Sequence, residues 1–202
     1  MNLKLPFQIM VKPFDGFYAM KYQHQGTLRV AFLNLFLVLL SKAINDQYTS
    51  IIVYPRNPLE LNSLGGLTAI VAMLILFCVS NWSVTSITDG EGRFKDIIMS
   101  VCYAMTPIVL TLVPATILSN FISREETAFY YMIIFAGLAY FVFLVYVGLV
   151  VVHNYSAGKA VFTIFLTFFA LLFIVFLITL LFSLWQQLST FVYSIYTELM
   201  FR

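Results

Sequence analysis

Charge is what this sequence has least of. Asp, Glu, Lys and Arg make up 10% of its 202 residues, against about 25% in a typical soluble domain. So few charges cannot coat a water-soluble globule of this length, which excludes a soluble catalytic domain. The net charge of +2 comes without any basic run, so nucleic acid is excluded as a partner. Cysteine is scarce too. Cys78 and Cys102 both fall inside apolar runs, where they read as small buried hydrophobes, with no disulfide framework or metal site indicated. No catalytic residue, metal ligand or cofactor signature is assigned. No apolar stretch of adequate length near the start precedes a small-residue cleavage site, so the first spanning helix is expected to serve as its own insertion signal.

What is abundant is apolar surface: 61% of the residues are hydrophobic and 17% aromatic, with a mean hydropathy of +0.94. These residues gather into runs near the roughly 20 residues a helix needs to cross a bilayer. The runs are Arg29 to Lys42, Leu64 to Thr88, Ile97 to Ile122, Ala128 to Val152 and Ala160 to Leu184. The first is short and reaches spanning length only if its flanking cations extend outward. The expected fold is an all-α, polytopic helical membrane protein of about five transmembrane helices. A cytoplasmic or interfacial segment (1–28) precedes the five-helix domain (29–184), and an amphipathic helix (185–202) follows it. The connections are short except Ala43 to Ser63, which contains Pro55 and Pro58.

Orientation follows from Lys and Arg. Five spans place Lys4, Lys12, Lys21, Arg29, Arg93, Lys95 and Lys159 on one side, and Lys42, Arg56, Arg124 and Arg202 on the other. The bias predicts a cytoplasmic N-terminus and an outside C-terminus. Two segments read as interfacial. Phe14, Tyr18 and Tyr22 recur every four residues beside Lys21, suiting the headgroup zone. Leu184, Leu188, Phe191, Ile195 and Leu199 form an apolar stripe among Gln186, Gln187, Ser189, Thr190, Ser194 and Glu198. Plain anchoring is the simpler account of both, and docking of a partner the functional one.

The densest polar cluster is Asp89-Gly90-Glu91-Gly92-Arg93-Phe94-Lys95-Asp96. Its glycines permit a tight turn, and Asp96 is placed to N-cap the third span. The glycines fall short of a P-loop or Rossmann signature. The loop His153 to Lys159 lies on the same predicted side. One histidine without a second ligand makes a poor metal site, and Ser156 with Lys159 lacks the partners of a nucleophilic serine. A turn with a helix cap is the plainer reading. The functional reading joins the two loops into one cytoplasmic contact surface of Asp89, Glu91, Arg93, Lys95, His153 and Lys159.

Inside the spans, Pro107 and Pro114 lie on one face of the third. Each frees a carbonyl about four residues earlier, near Tyr103 and Leu110, for hydroxyls such as Thr106 and Thr111 to satisfy. The pair can form a hinge or a fixed bend. No ionisable residue sits centrally in spans two to five, where pumps and ion-coupled transporters place them. Polarity there is mild: Asn81, Thr163, Thr167 and Thr179, with Asn34 in the first span. Thr163 and Thr167 share a face with Ala160 and Ala170, a small-residue stripe suited to close packing. Ala136, Gly137 and Gly148 thin the fourth span similarly.

The strings PFDGF, NPLELNSL, NWSVTSITDGEGRFKDI, HNYSAGK and FSLWQQLSTFVYSIYTEL resemble bacterial YIP1-family membrane proteins of the Gram-positive type, from Phe7 to Arg202. The motifs of the eukaryotic trafficking relatives are not evident, so Rab binding does not carry over. The resemblance implies a five-helix domain with a cytoplasmic N-terminus, no enzyme activity, and an association with carbohydrate ABC transporter components. The expected function is a non-enzymatic scaffold or accessory subunit of a membrane complex. Its expected partners are the lipid bilayer and other membrane subunits, ABC transporter permeases among them, or a second copy. The alternative is a small transporter or channel built on the Pro107/Pro114 bend and the Thr-bearing face of span five.

Overall fold

The computed structural model describes residues 4–53 and 62–201. Arg56, Pro55, Pro58, Arg202 and most of the NPLELNSL string lie outside them. The described residues form helices α1 (Leu5–Val11), α2 (Pro13–Lys21), α3 (Leu28–Tyr48), α4 (Ser63–Ile87), α5 (Phe94–Ala104), α6 (Thr106–Ser119), α7 (Thr127–His153) and α8 (Ala157–Met200), without a strand among them. Five stretches are long and apolar enough to cross a bilayer: α3, α4, α5 with α6, α7 with the turn before it, and α8. The chain is a polytopic helical membrane protein.

The first span is longer than its apolar run. α3 continues beyond Lys42 to Tyr48 because the polar residues of its last turns find partners. Lys42 pairs with Asp46 one turn on, and the buried Asn45 amide donates to Thr116 Oγ1 at 2.8 Å and Tyr130 Oη at 2.9 Å. Hydrogen bonding carries the helix through residues that hydropathy alone would exclude.

The third span is two helices, broken at Met105. Pro107 has no N–H to give the Tyr103 carbonyl. As expected, Thr106 Oγ1 fills that place at 2.7 Å. Asn34 Nδ2 donates to the Cys102 carbonyl at 2.6 Å and to Thr106 Oγ1 at 3.2 Å. The mild polarity of span one thus closes the break in span three. Pro114 sits inside the continuous α6. Thr111 Oγ1 bonds the Pro107 and Ile108 carbonyls, so it does not serve the Leu110 position expected of it.

The N-terminal segment is not merely laid on an interface. Phe14, Tyr18 and Tyr22 are exposed, as their spacing predicts, but Leu5, Ile9, Phe17 and Met20 are fully buried in the central core. α2 packs on α7, and α1 on α5 and α6. Tyr140 donates to the Met10 carbonyl near the middle of α7. α8 pairs chiefly with α4 through its small-residue stripe, where Ala160, Thr163 and Thr167 are buried. It then runs unbroken past Leu184, and no residue of it beyond Leu171 is buried.

Candidate functional site

The connections separate to two ends of the bundle. At one, Ser50 N–H donates to Ser119 Oγ at 3.1 Å, and Tyr131 Oη to the Val53 carbonyl at 3.1 Å. This joins the α3–α4 connection to the α6–α7 turn. At the other end the N-terminal segment, the α4–α5 loop and the α7–α8 loop meet. That second end holds both polar clusters singled out in the sequence.

Two helices stop there in the same way. Asp89 (φ 53°) and Asn154 (φ 54°) both take the left-handed conformation. Gly90 N–H returns to the Thr85 carbonyl at 2.8 Å and Tyr155 N–H to the Val150 carbonyl at 3.0 Å, each closing the end of a helix. The next helices start with local acceptors. Asp96 is the third residue of α5 and reaches back to the Arg93 N–H at 3.2 Å, so it supports the helix start from within the first turn instead of capping it. Ser156 caps α8 by accepting from Lys159 N–H at 3.4 Å.

Gly90 and Gly92 are glycine for another reason than turn geometry, since neither has a positive φ. A Cβ on Gly90 would lie 2.6 Å from His153 Nδ1 and 2.7 Å from Tyr155 Oη. One on Gly92 would lie 2.6 Å from Val152 Cγ1 and 2.7 Å from His153 Cε1. The glycines let the loop backbone close directly over a histidine ring.

That ring lies beneath the expected contact surface, not on it: His153 is 1% exposed. Its Nδ1 accepts from Gly92 N–H at 3.3 Å, so its Nε2 carries the proton toward Asn81 Oδ1 at 3.2 Å. Asn81 Nδ2 donates to Thr167 Oγ1 at 3.1 Å, which donates to the Thr163 carbonyl at 2.8 Å. A neutral imidazole thus heads a buried chain of hydrogen bonds crossing α7, α4 and α8. Each group in it has its partner, as burial demands.

The remaining surface residues divide. Glu91 accepts from Asn154 Nδ2 at 3.1 Å and pairs with Lys21 at 3.4 Å. The Asn154 bond, with help from Lys21, holds its carboxyl below the usual range. Tyr155 Oη donates to the Thr88 carbonyl at 3.2 Å, and Lys159 lies over the Tyr155 ring. Asp89, Arg93 and Lys95 are exposed. Sequence reasoning missed Lys21, Asn154 and Tyr155 as members of this assembly. An asparagine directly after a long apolar helix, a residue tolerant of the left-handed conformation, was the available signal.

Among the described residues no three His, Cys, Asp or Glu side chains gather in a way that would hold a metal ion. A cavity of about 570 Å³ opens between the spans. Apolar side chains such as Met73, Phe77, Met105 and Phe141 line it, with Lys42 and Tyr146 its polar exceptions. It borders the break at Met105.

The Yip1 domain family model matches residues 7–192 of the chain. No curated protein and no solved structure matches it.

Proposed function

The chain belongs to the Yip1 domain family, and on that footing we propose that it is a non-enzymatic scaffold or accessory subunit of a membrane complex, docking its partner along α8. One observation carries this reading. α8 has 44 residues, about 66 Å at 1.5 Å per residue, roughly twice the 30 Å hydrocarbon core. Its last turns therefore leave the bilayer while still presenting Leu188, Phe191 and Ile195, all exposed. Leu184, Leu188, Phe191 and Ile195 recur at intervals of four, three and four residues, the spacing of a helix seam that seats a second helix.

The proposed setting is a bacterial plasma membrane, with the His153 end cytoplasmic as the Lys and Arg bias favours. The permease of a carbohydrate ABC transporter, which the family resemblance implies, is the first partner to test. Extraction in mild detergent followed by affinity capture is expected to retain a membrane partner. Leu188→Glu with Phe191→Glu, placed on the seam, is expected to release it. Capture of the chain alone, or a partner indifferent to both substitutions, overturns the reading.

The cavity beside the Met105 break supports the transporter alternative for an apolar solute only, since its walls offer almost no polar groups. Flux of apolar and polar solutes into liposomes holding only this protein separates the two readings.

A further inference from the structure

Arg29, Arg93 and Lys95, at the His153 end of the bundle, form no ion pair among the described residues. The ion pairs there are Lys21 with Glu91 and Lys42 with Asp46; Lys159, also at this end, lies over the Tyr155 ring, and Arg29, Arg93 and Lys95 belong to neither group. These three line two adjoining hollows of about 460 and 360 Å³ that share Gly26 and Lys95 as walls. Two carboxylates also line the larger hollow, but each is engaged, Glu91 by Lys21 and Asn154, and Asp96 by the Arg93 N–H.

The depth of the hollows is fixed by the helices that frame them. Arg29 is the second residue of α3 and Lys95 the second of α5, so both stand where a span enters the bilayer. The first turn of α3 has no side-chain cap, and its free amides add positive potential. Thr27 Oγ1, in the wall of the smaller hollow, is buried without a partner. Below Arg29, at the helical intervals of one face, Phe32, Leu33, Phe36 and Leu40 are all exposed. A cationic hollow at headgroup level above an open apolar stripe matches an amphiphile better than a free ion.

We propose that the Arg29–Arg93–Lys95 hollow binds the phosphate of an anionic phospholipid, with an acyl chain lying along the Phe32–Phe36 face of α3. The ammonium and guanidinium groups hold the phosphate oxygens. The Thr27 hydroxyl and the first-turn amides of α3 supply further donors. The exposed face of α3 takes the hydrocarbon.

Native mass spectrometry of the full chain, released from nanodiscs of phosphatidylglycerol and phosphatidylcholine in equal parts, tests this. Phosphatidylglycerol is expected to be retained in preference, with one molecule held per chain. A basic residue beside an anionic membrane contributes about fivefold in affinity. R29Q/R93Q/K95Q is therefore expected to lose about a hundredfold, while R124Q, which neutralises a cation at the other boundary, keeps the lipid. Equal retention of the two lipids overturns the proposal, as does equal loss in R124Q. Displacement of the lipid by inorganic phosphate reassigns the hollow to a free anion and overturns it too. Should the triple variant not fold, K95Q alone decides: a loss near fivefold supports the site and no loss overturns it.

Discussion

At the scale of single residues, the His153 chain makes a sharp claim about polar groups in an apolar body. Asn81 is wholly buried and bonds both His153 Nε2 and Thr167 Oγ1. Asn81→Leu leaves the His153 Nε2–H unpartnered, at about 1–3 kcal/mol, while Thr167 Oγ1 keeps its bond to the Thr163 carbonyl. Thermal unfolding in detergent is expected to register that loss. Adding His153→Leu removes the stranded partner, so the double variant is expected to lose less than the sum of the singles. Strict additivity would mean that the bond contributes nothing. The glycines offer a paired test. Gly90→Ala forces His153, Tyr155 or Thr85 to shift, since atoms of all three lie within 3.0 Å of the added carbon, and overpacking of this kind costs about 1–3 kcal/mol. Gly158→Ala, in the first turn of α8, meets nothing within 4 Å and is expected to gain up to about 1 kcal/mol by restricting the unfolded chain. Equal effects at the two positions would sink the close-approach account of Gly90.

At the scale of elements, α8 divides by burial, and the proposed docking role divides it at the same place. Its first turns pack on α4, and nothing beyond Leu171 is buried. A chain ending at Ser183 is therefore expected to unfold at the same temperature as the whole protein while losing its captured partner. A lowered midpoint would show that the last turns support the chain's own fold. The exposed stripe of this tail is legible in the sequence because polar residues interrupt it. The five spans are legible because apolar runs of that length have few other uses, and the break at Met105 follows from Pro107. Burial of α1 and α2 was not legible. Both faces of these short helices are apolar, so the exposed Phe14, Tyr18 and Tyr22 could not be told from the buried Ile9, Phe17 and Met20. The His153 chain was hidden for a different reason: its members come from α4, the α4–α5 loop, α7 and α8, and no local spacing joins them.

At the scale of the whole molecule, one end of the bundle is held by buried contacts and finished by an exposed ionic one. His153 ties α7 to α4 and to the α4–α5 loop from beneath. Above it, Glu91 ties the same loop to Asn154 and to Lys21, at the end of the N-terminal segment. The buried bonds do not depend on a carboxylate, but the surface tie does. The Asn154 amide first, and the Lys21 ammonium with it, favour the ionised carboxyl and lower its pKa from 4.5. A group whose pKa falls on folding contributes fully above its ordinary value and loses that contribution as the pH drops through the lowered one. The tie is thus complete at neutral pH and released only in acid below the ordinary glutamate range. A spin label at Gln23, two residues past Lys21, reports on it. The label is expected to be immobilised at neutral pH and to gain mobility only in acid below the ordinary glutamate range. In Glu91→Gln it is expected to be mobile throughout, without a pH step. A step that persists in Glu91→Gln would assign the release to another group and leave the N-terminal segment held by its buried face alone.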